Sequence, residues 1–338
     1  MPKAWQLHAY TGYHGLVLEE VALEEPGPGE VRLQIEAFAV NWGDMHLMRD
    51  EYSFSFESWP ARIGMEAVGT VDAVGPGVTG IALGARLCTL PHFYGHRGAS
   101  AETLVVDQRY LTPAPAGLSP VECAAVWMRY LTAYYPLAEV RPVGPGSIVL
   151  ATAATSTTGS ACLELGRRMG ATMIGTTRSA RNVPALKDLG ADHVLVTGAD
   201  DDLDLAASLH ELTGGHGVDL VFDAFGDGLI HRYAPALARD AWVLFYGMVD
   251  GRWPTIPFGD MFRANAVFKP YSVFNYVADP QQRDRGVAAV RELLESGALR
   301  PRIDRVFPME AYREAFDYTR ARDTYGKVVV VTAYGEDG

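Results

Sequence analysis

The chain is short of cysteine, of positive charge and of long apolar runs, and each shortage excludes something. Three cysteines in 338 residues, Cys88, Cys123 and Cys162, lie without paired spacing, so they imply neither a disulfide framework nor a zinc knuckle. Cys88 and Cys123 sit in apolar contexts and read as buried small hydrophobes. Lysine and arginine number 29 against 41 aspartates and glutamates. The resulting net charge of −12 argues against nucleic acid or an anionic membrane as the principal partner. No apolar run approaches the roughly 18 residues of a membrane span. The start, MPKAWQLHAY, lacks the apolar core of a signal peptide, and the expectation is a soluble, cytoplasmic protein. There is no internal repeat and no low-complexity tract.

What is present is an ordinary globular composition, 48% hydrophobic with 35 glycines, in a chain long enough for two domains. The first third is rich in β signals. Leu16–Glu20, Glu30–Ala39, Ala67–Val74 and Leu104–Val106 are β-branched or alternating runs, separated by Pro26-Gly27-Pro28-Gly29 and Gly75-Pro76-Gly77. Ser119–Leu137 reads as a helix, with Ser119 as N-cap, Pro120 at the first helical position and Glu122 in the first turn. From Ser147 to about Lys269 strands alternate with helices. The strand candidates are Ile148–Ala151, Thr172–Thr176, His193–Val196, Leu220–Asp223 and Trp242–Tyr246, the pattern of a doubly wound parallel sheet. A helix over Gln281–Gly297 and a strand over Lys327–Val331 do not extend that series, and they are expected to fold back onto the first domain.

One turn carries chemistry. Strand Ile148–Ala151 runs into small residues whose Ala154, Ser156 and Gly159 fall at the glycine positions of G-x-G-x-x-G, with Thr157 and Thr158 between. Small residues there let the backbone approach a pyrophosphate, and the following helix N-terminus favours its charge. The next strand closes on Thr177-Arg178-Ser179, where an NAD-specific unit ends in a carboxylate that holds the ribose 2′-hydroxyl. A guanidinium flanked by hydroxyls suits a 2′-phosphate instead, so the expected cofactor is NADPH.

Several motifs, in order, resemble the medium-chain dehydrogenase/reductase superfamily, and within it the zinc-independent quinone oxidoreductase branch. They are Asn41-x-x-Asp44, Gly64-Met65-Glu66-Ala67-Val68-Gly69-Thr70-Val71, Val74-Gly75-x-Gly77-Val78, Ala153–Gly159, Gly190-Ala191-Asp192, Val218–Asp223 and Gly326-Lys327-Val328-Val329. The resemblance implies an α/β protein with a GroES-like β-rich substrate domain over 1–126 and 272–338 and a Rossmann domain over 127–271. It also implies a nicotinamide-dependent reductase. Where the zinc-dependent branch has a cysteine and a histidine, this chain has Asn41 and Met65, poor ligands for zinc. No metal is expected. His92 and His96, near Tyr94, read as a solvated loop rather than a metal pair.

Without a Lewis acid, reducing a quinone or an α,β-unsaturated carbonyl needs less help than oxidising an alcohol, because the acceptor carbon is already electrophilic. The candidates for that chemistry lie between positions 41 and 52: Asn41, Asp44, Tyr52, which matches a tyrosine of the family, and His46, where this chain departs from it. Asn41 either orients the acceptor or forms a local turn with Asp44. Tyr52 either donates to a carbonyl or plugs a loop. His46 either delivers a proton or is structural. Trp42, Phe93, Tyr94 and Tyr130 are the expected pocket walls. Arg129, Thr132, Phe225, Gly226, Tyr246, Gly247 and Lys327 are expected to contact the cofactor, Lys327 at its phosphates. Two other roles keep the same fold: a non-catalytic NADPH-binding redox sensor, and a biosynthetic tailoring reductase. The apolar run Ala266–Tyr276 at the end of the nucleotide sheet invites pairing with a second copy, so a homodimer is expected.

Overall fold

The computed structural model describes residues 1–93, 95–198, 203–249, 251–321 and 325–335. The chain divides into two compact units, one of Met1–Met128 with Phe274–Gly338, the other Arg129–Val273. The limits expected from sequence lie two residues earlier at each junction.

The first unit is built on strand Glu30–Ala39, which buries Val31, Leu33 and Ile35 in alternation and, after a register shift between Ile35 and Ala37, Phe38. It pairs antiparallel with Ala67–Val74 along one flank, and on its other flank with Thr103–Asp107 through its first half and with Lys327–Val331 through its last residues. Ile303–Pro308, Arg86–Thr89 and Leu111–Pro113 complete a seven-stranded sheet, and Lys3–Gln6 pairs separately with Val17–Glu20. Tyr312 and Phe316 pack from helix Tyr312–Arg320 onto Phe38 and Tyr13. Large side chains of this kind each contribute about 1.5–3 kcal/mol by burial.

The second unit is a six-stranded parallel sheet. Its spatial order is His193–Val196, Thr172–Thr177, Ile148–Ala151, Val218–Asp223, Leu237–Phe245, Val267–Pro270. Leu150, Ile174, Val221 and Val243 have no exposure, as expected of strands covered on both faces. The order reverses between Ile148–Ala151 and Val218–Asp223, the place where such sheets bind ligands. Asp223 ties that point together: it accepts hydrogen bonds from Thr152 Oγ1 at 2.8 Å, Tyr233 at 2.7 Å and the Phe225 amide at 2.9 Å. No described helix is long and apolar enough to cross a membrane.

Two expectations need correction. The helix foreseen over Ser119–Leu137 is interrupted. The Ser119–Glu122 capping box forms, but Pro120–Cys123 stops, and a second helix runs Trp127–Tyr135 before a π-turn that begins at Pro136. Ala124, Ala125 and Val126 are buried between the two helices, so packing there overrides helical continuation. The run Ala266–Tyr276 is strand only over Val267–Pro270, where a proline ends it, and Val273–Ala278 is helical.

Candidate active site and nucleotide-binding turn

In the first unit three neighbouring strands deliver a buried polar cluster. The register that pairs Val329 with Ala39 and Val331 with Ala37, carried two residues further, sets Lys327 across from Asn41. The Val40 amide bonds the Val328 carbonyl at 3.0 Å, which holds the strands together at that point. On the other flank Phe38 pairs with Ala67, so Glu66 arrives beside the same end. Just before Lys327, Gly326 has a φ of +133° and packs closely on the neighbouring strand: a Cβ there would lie 2.9 Å from the Arg302 carbonyl oxygen. Lys327 Nζ lies 2.6 Å from Asn41 Oδ1 and 2.5 Å from Glu66 Oε1, with both charged side chains 2% exposed. The other Glu66 oxygen accepts from the Met128 amide at 3.0 Å, in the first turn of helix Trp127–Tyr135.

Helix Trp42–Leu47 starts at Asn41, whose backbone N–H donates to Asp44 Oδ2 at 2.9 Å. Asp44 is fully buried. Burial pushes its carboxyl up to about 7, although the Asn41 hydrogen bond and the Lys327 charge pull the other way. Tyr52 lies against Gly43, where a Cβ would touch its ring at 3.5 Å. Burial and then the Asp44 charge push its hydroxyl up to about 12, so it is a donor throughout the neutral range. From Tyr52 the aromatic contacts continue to Phe54, whose ring stacks on Phe93 at 5.0 Å and meets Phe274 edge-on at 5.4 Å.

Asn41, Asp44, Tyr52 and Lys327 are thus brought together, and His46 is not. Two residues along a helix place side chains about 200° apart. His46 Nδ1 accordingly lies 3.5 Å from Glu51. Trp42 is half-buried against the core. Tyr94 lies outside the described residues. His92 stacks on Tyr110 at 3.6 Å, and burial pulls its pKa down to about 4, so it sits as a neutral ring.

In the second unit the turn after Ile148–Ala151 leads into helix Thr157–Arg168. The residue in the left-handed region is Ala153, at φ +47°, not Ala154. Ala154 is fully buried, and its methyl would meet a Cβ on Gly175 at 3.0 Å, so it packs against the second strand. Ser156 caps helix Thr157–Arg168 by accepting from the Gly159 amide at 3.0 Å. A Cβ on Gly159 would lie 2.4 Å from the Ala153 carbonyl oxygen, so this position admits only glycine. Thr177 ends its strand buried and accepts from Ser179 N and Asn182 Nδ2, both at 3.3 Å, which fixes the loop that carries exposed Arg178. Phe225, Gly226, Tyr246 and Gly247 follow the ends of the two central strands beyond the switch point, and Tyr246 stacks on Phe222 at 3.9 Å.

Arg129 is 2% exposed. It donates to Ser160 Oγ and Glu164, each at 3.0 Å, while its Nε and Nη1 are buried without a hydrogen-bond partner among the described residues. Thr132 is buried one helical turn further on.

Comparison with known proteins matches these features. Residues 27–116 match the alcohol dehydrogenase GroES-like domain and residues 189–330 the zinc-binding dehydrogenase domain. A 2-haloacrylate reductase of Burkholderia sp is 29% identical, covering 98% of this chain and 99% of that one. A quinone oxidoreductase of Pseudomonas aeruginosa is 25% identical over 98% and 100%. A mycobacterial protein solved in complex with NADPH superposes with a TM-score of 0.89 at 27% identity, covering 98% and 100%. The chain belongs to the medium-chain dehydrogenase/reductase superfamily.

Within that superfamily it stands in the quinone oxidoreductase-like branch, and it is an oxidoreductase. The name of the second matched domain raises zinc, and the donor set does not fit it. Asn41 and Met65 offer no thiolate or imidazole, and Glu66 is engaged by the Lys327 ammonium and the Met128 amide.

Two expectations for this superfamily member are corrected. Lys327 does not present its ammonium to phosphates, because register and burial turn it to Asn41 and Glu66. Tyr130 is no pocket wall. It has no exposure, its ring lies under the Arg129 guanidinium at 4.6 Å and its hydroxyl donates to Glu164 at 3.2 Å. Glu66, Phe54 and Phe274 escaped the sequence reading as site residues. Glu66 entered there only as a member of the Gly64–Val71 motif. Phe274 is 220 residues from Phe54, and no local pattern announces their contact.

Proposed function

We propose that this protein is an NADPH-dependent, metal-independent reductase of apolar quinones or aryl-substituted enones. The observation that carries the reading is the first unit's juxtaposition of an amide, a high-pKa tyrosine and an aromatic wall: Asn41, Tyr52, and Phe54 with Phe93 and Phe274. Flat apolar acceptors gain from such a wall. A small anion such as 2-haloacrylate gains little, and Lys327, the cation beside Asn41, is already paired with Glu66.

The second unit supports NADPH. The Ala153–Gly159 turn leaves no room for a Cβ at Gly159, Arg129 has buried donors to spare, and Arg178 and Ser179 stand where a carboxylate would select NAD. Thr157 and Thr158 add hydroxyls at the same helix start. When bound, the dinucleotide supplies a hydride to the electrophilic carbon of the acceptor. Charge then develops on the acceptor oxygen, where the Asn41 amide and the Tyr52 hydroxyl serve as donors. A proton taken up at the adjacent carbon, or at oxygen for a quinone, completes the reduction. Holding the acceptor is most of the task.

The assembly proposed is a homodimer. Val267–Pro270 is the edge of its sheet, and near it Phe262 is 89%, Phe258 79% and Trp253 66% exposed, an apolar surface that a second copy would cover.

Steady-state consumption of NADPH with 1,4-naphthoquinone, an aryl enone and 2-chloroacrylate tests the function. The aromatic acceptors are expected to exceed 2-chloroacrylate at least tenfold in kcat/KM. Preference for the acrylate, or no turnover with any of the three, overturns the reading.

A further inference from the structure

We propose that the buried Lys327–Glu66 pair is a positioning device that fixes the rotation of the Asn41 carboxamide, so that its N–H end is the one presented to the acceptor oxygen. The inference rests on the reductase reading above and assigns roles to residues that do not themselves touch substrate.

Lysine has three donors and no acceptor, so the Asn41 atom 2.6 Å from Nζ must be the carbonyl oxygen. That choice places Nδ2 on the far side of the amide. Its only protein contact among the described residues is a weak one, to the Ala39 carbonyl at 3.5 Å. At least one N–H is left to donate. Without the lysine the two amide rotamers would compete, and one of them would offer a lone pair to a developing oxyanion.

Glu66 serves this device in turn. An ammonium 2% exposed needs a counter-charge, and Glu66, equally buried, supplies it at 2.5 Å while its second oxygen is held by the Met128 amide. Neither charge moves without the other. Among the described residues, other ionisable groups around this cluster are Asp44, which grips the Asn41 backbone N–H, Tyr52, beside the same helix turn, and buried Tyr312, whose hydroxyl feels the Asp44 charge.

Three variants test the assignment, with thermal unfolding as the folding control. Asn41→Asp keeps an oxygen for Lys327 but has no N–H when ionised. Its kcat should fall about 10²–10³-fold at neutral pH, with NADPH affinity within twofold of wild type. As pH falls it should recover relative to wild type, because a protonated carboxyl can donate. Lys327→Met with Glu66→Gln removes both charges together and should lower kcat at least fivefold at unchanged NADPH affinity. Lys327→Arg, which still donates to Oδ1, should restore most of that loss.

The proposal is overturned if the folded double variant retains wild-type kcat, if Lys327→Arg is as impaired as the double variant, or if Asn41→Asp shows no recovery at low pH. Should the double variant fail to fold, the Asn41→Asp profile and the Lys327→Arg turnover decide alone. Absence of turnover in the wild type would instead count against the reductase reading.

Discussion

Lys327 donates to the side-chain oxygen of Asn41 across 2.6 Å, although 286 positions separate them in the chain. One antiparallel register accounts for the meeting, and the polar cluster of the first unit is organised around it. Its members place opposing demands on protonation, which leads to the first prediction.

Asp44 is an acid whose folded pKa stands above its ordinary 3.8, at about 7, chiefly through burial. The folded chain therefore holds a proton that the unfolded chain releases between about pH 4 and pH 7, so stability falls as pH rises through that window. Asp44→Asn removes this dependence. The variant should gain on wild type by up to about 4 kcal/mol between pH 4 and pH 8, as followed by denaturant unfolding. A stability difference independent of pH would show that the carboxyl is ionised throughout.

The nucleotide turn yields a steric prediction. A methyl group at Gly159 would meet the Ala153 carbonyl oxygen at 2.4 Å and Ala154 Cα at 2.9 Å. Gly159→Ala should cost about 1–3 kcal/mol of stability and weaken NADPH binding in calorimetry. Unchanged stability and affinity would mean that the turn is not closely packed.

Most of the architecture was legible from the residues. Parallel strands buried on both faces announce themselves as apolar runs, and the five strands expected in the second unit are present, joined by Val267–Pro270 at the edge. Short strands such as Arg86–Thr89 and Ile303–Pro308 were not, because four to six residues with mixed polarity carry no period of their own. Asn41, Asp44 and Tyr52 were legible through the resemblance. Lys327 was noticed and given the wrong neighbour: a charge before a strand reads as solvated until the pairing register is known. The left-handed backbone at Ala153, φ +47°, has no signal in the sequence, because alanine rarely adopts it.

The proposed selection of NADPH assigns the 2′-phosphate to Arg178. One charge-assisted contact to a 2′-phosphate contributes about 1.5–3 kcal/mol. Arg178→Ala should therefore weaken NADPH about 10–100-fold and leave NADH within twofold, which narrows the gap between the two in titration. Equal losses for both would place Arg178 away from the 2′ position.

The dimer proposal depends on apolar exposure beside the edge strand. Phe262, 89% exposed, has little to lose by becoming charged in a monomer and much to lose at an interface. Light scattering of Phe262→Glu at micromolar concentration should report a monomer of about half the wild-type mass. A wild-type protein that is already monomeric would refute the assembly.

Deuterium tracing separates direct hydride transfer from metal-dependent chemistry. Chelator-treated protein is incubated with NADPH carrying two deuterons at nicotinamide C4 and an aryl enone, and the product is analysed by mass spectrometry. The account predicts a saturated ketone with one deuterium, on the carbon β to the carbonyl, formed at the rate of untreated protein. An unlabelled product, or activity that vanishes with the chelator and returns with zinc, would contradict it.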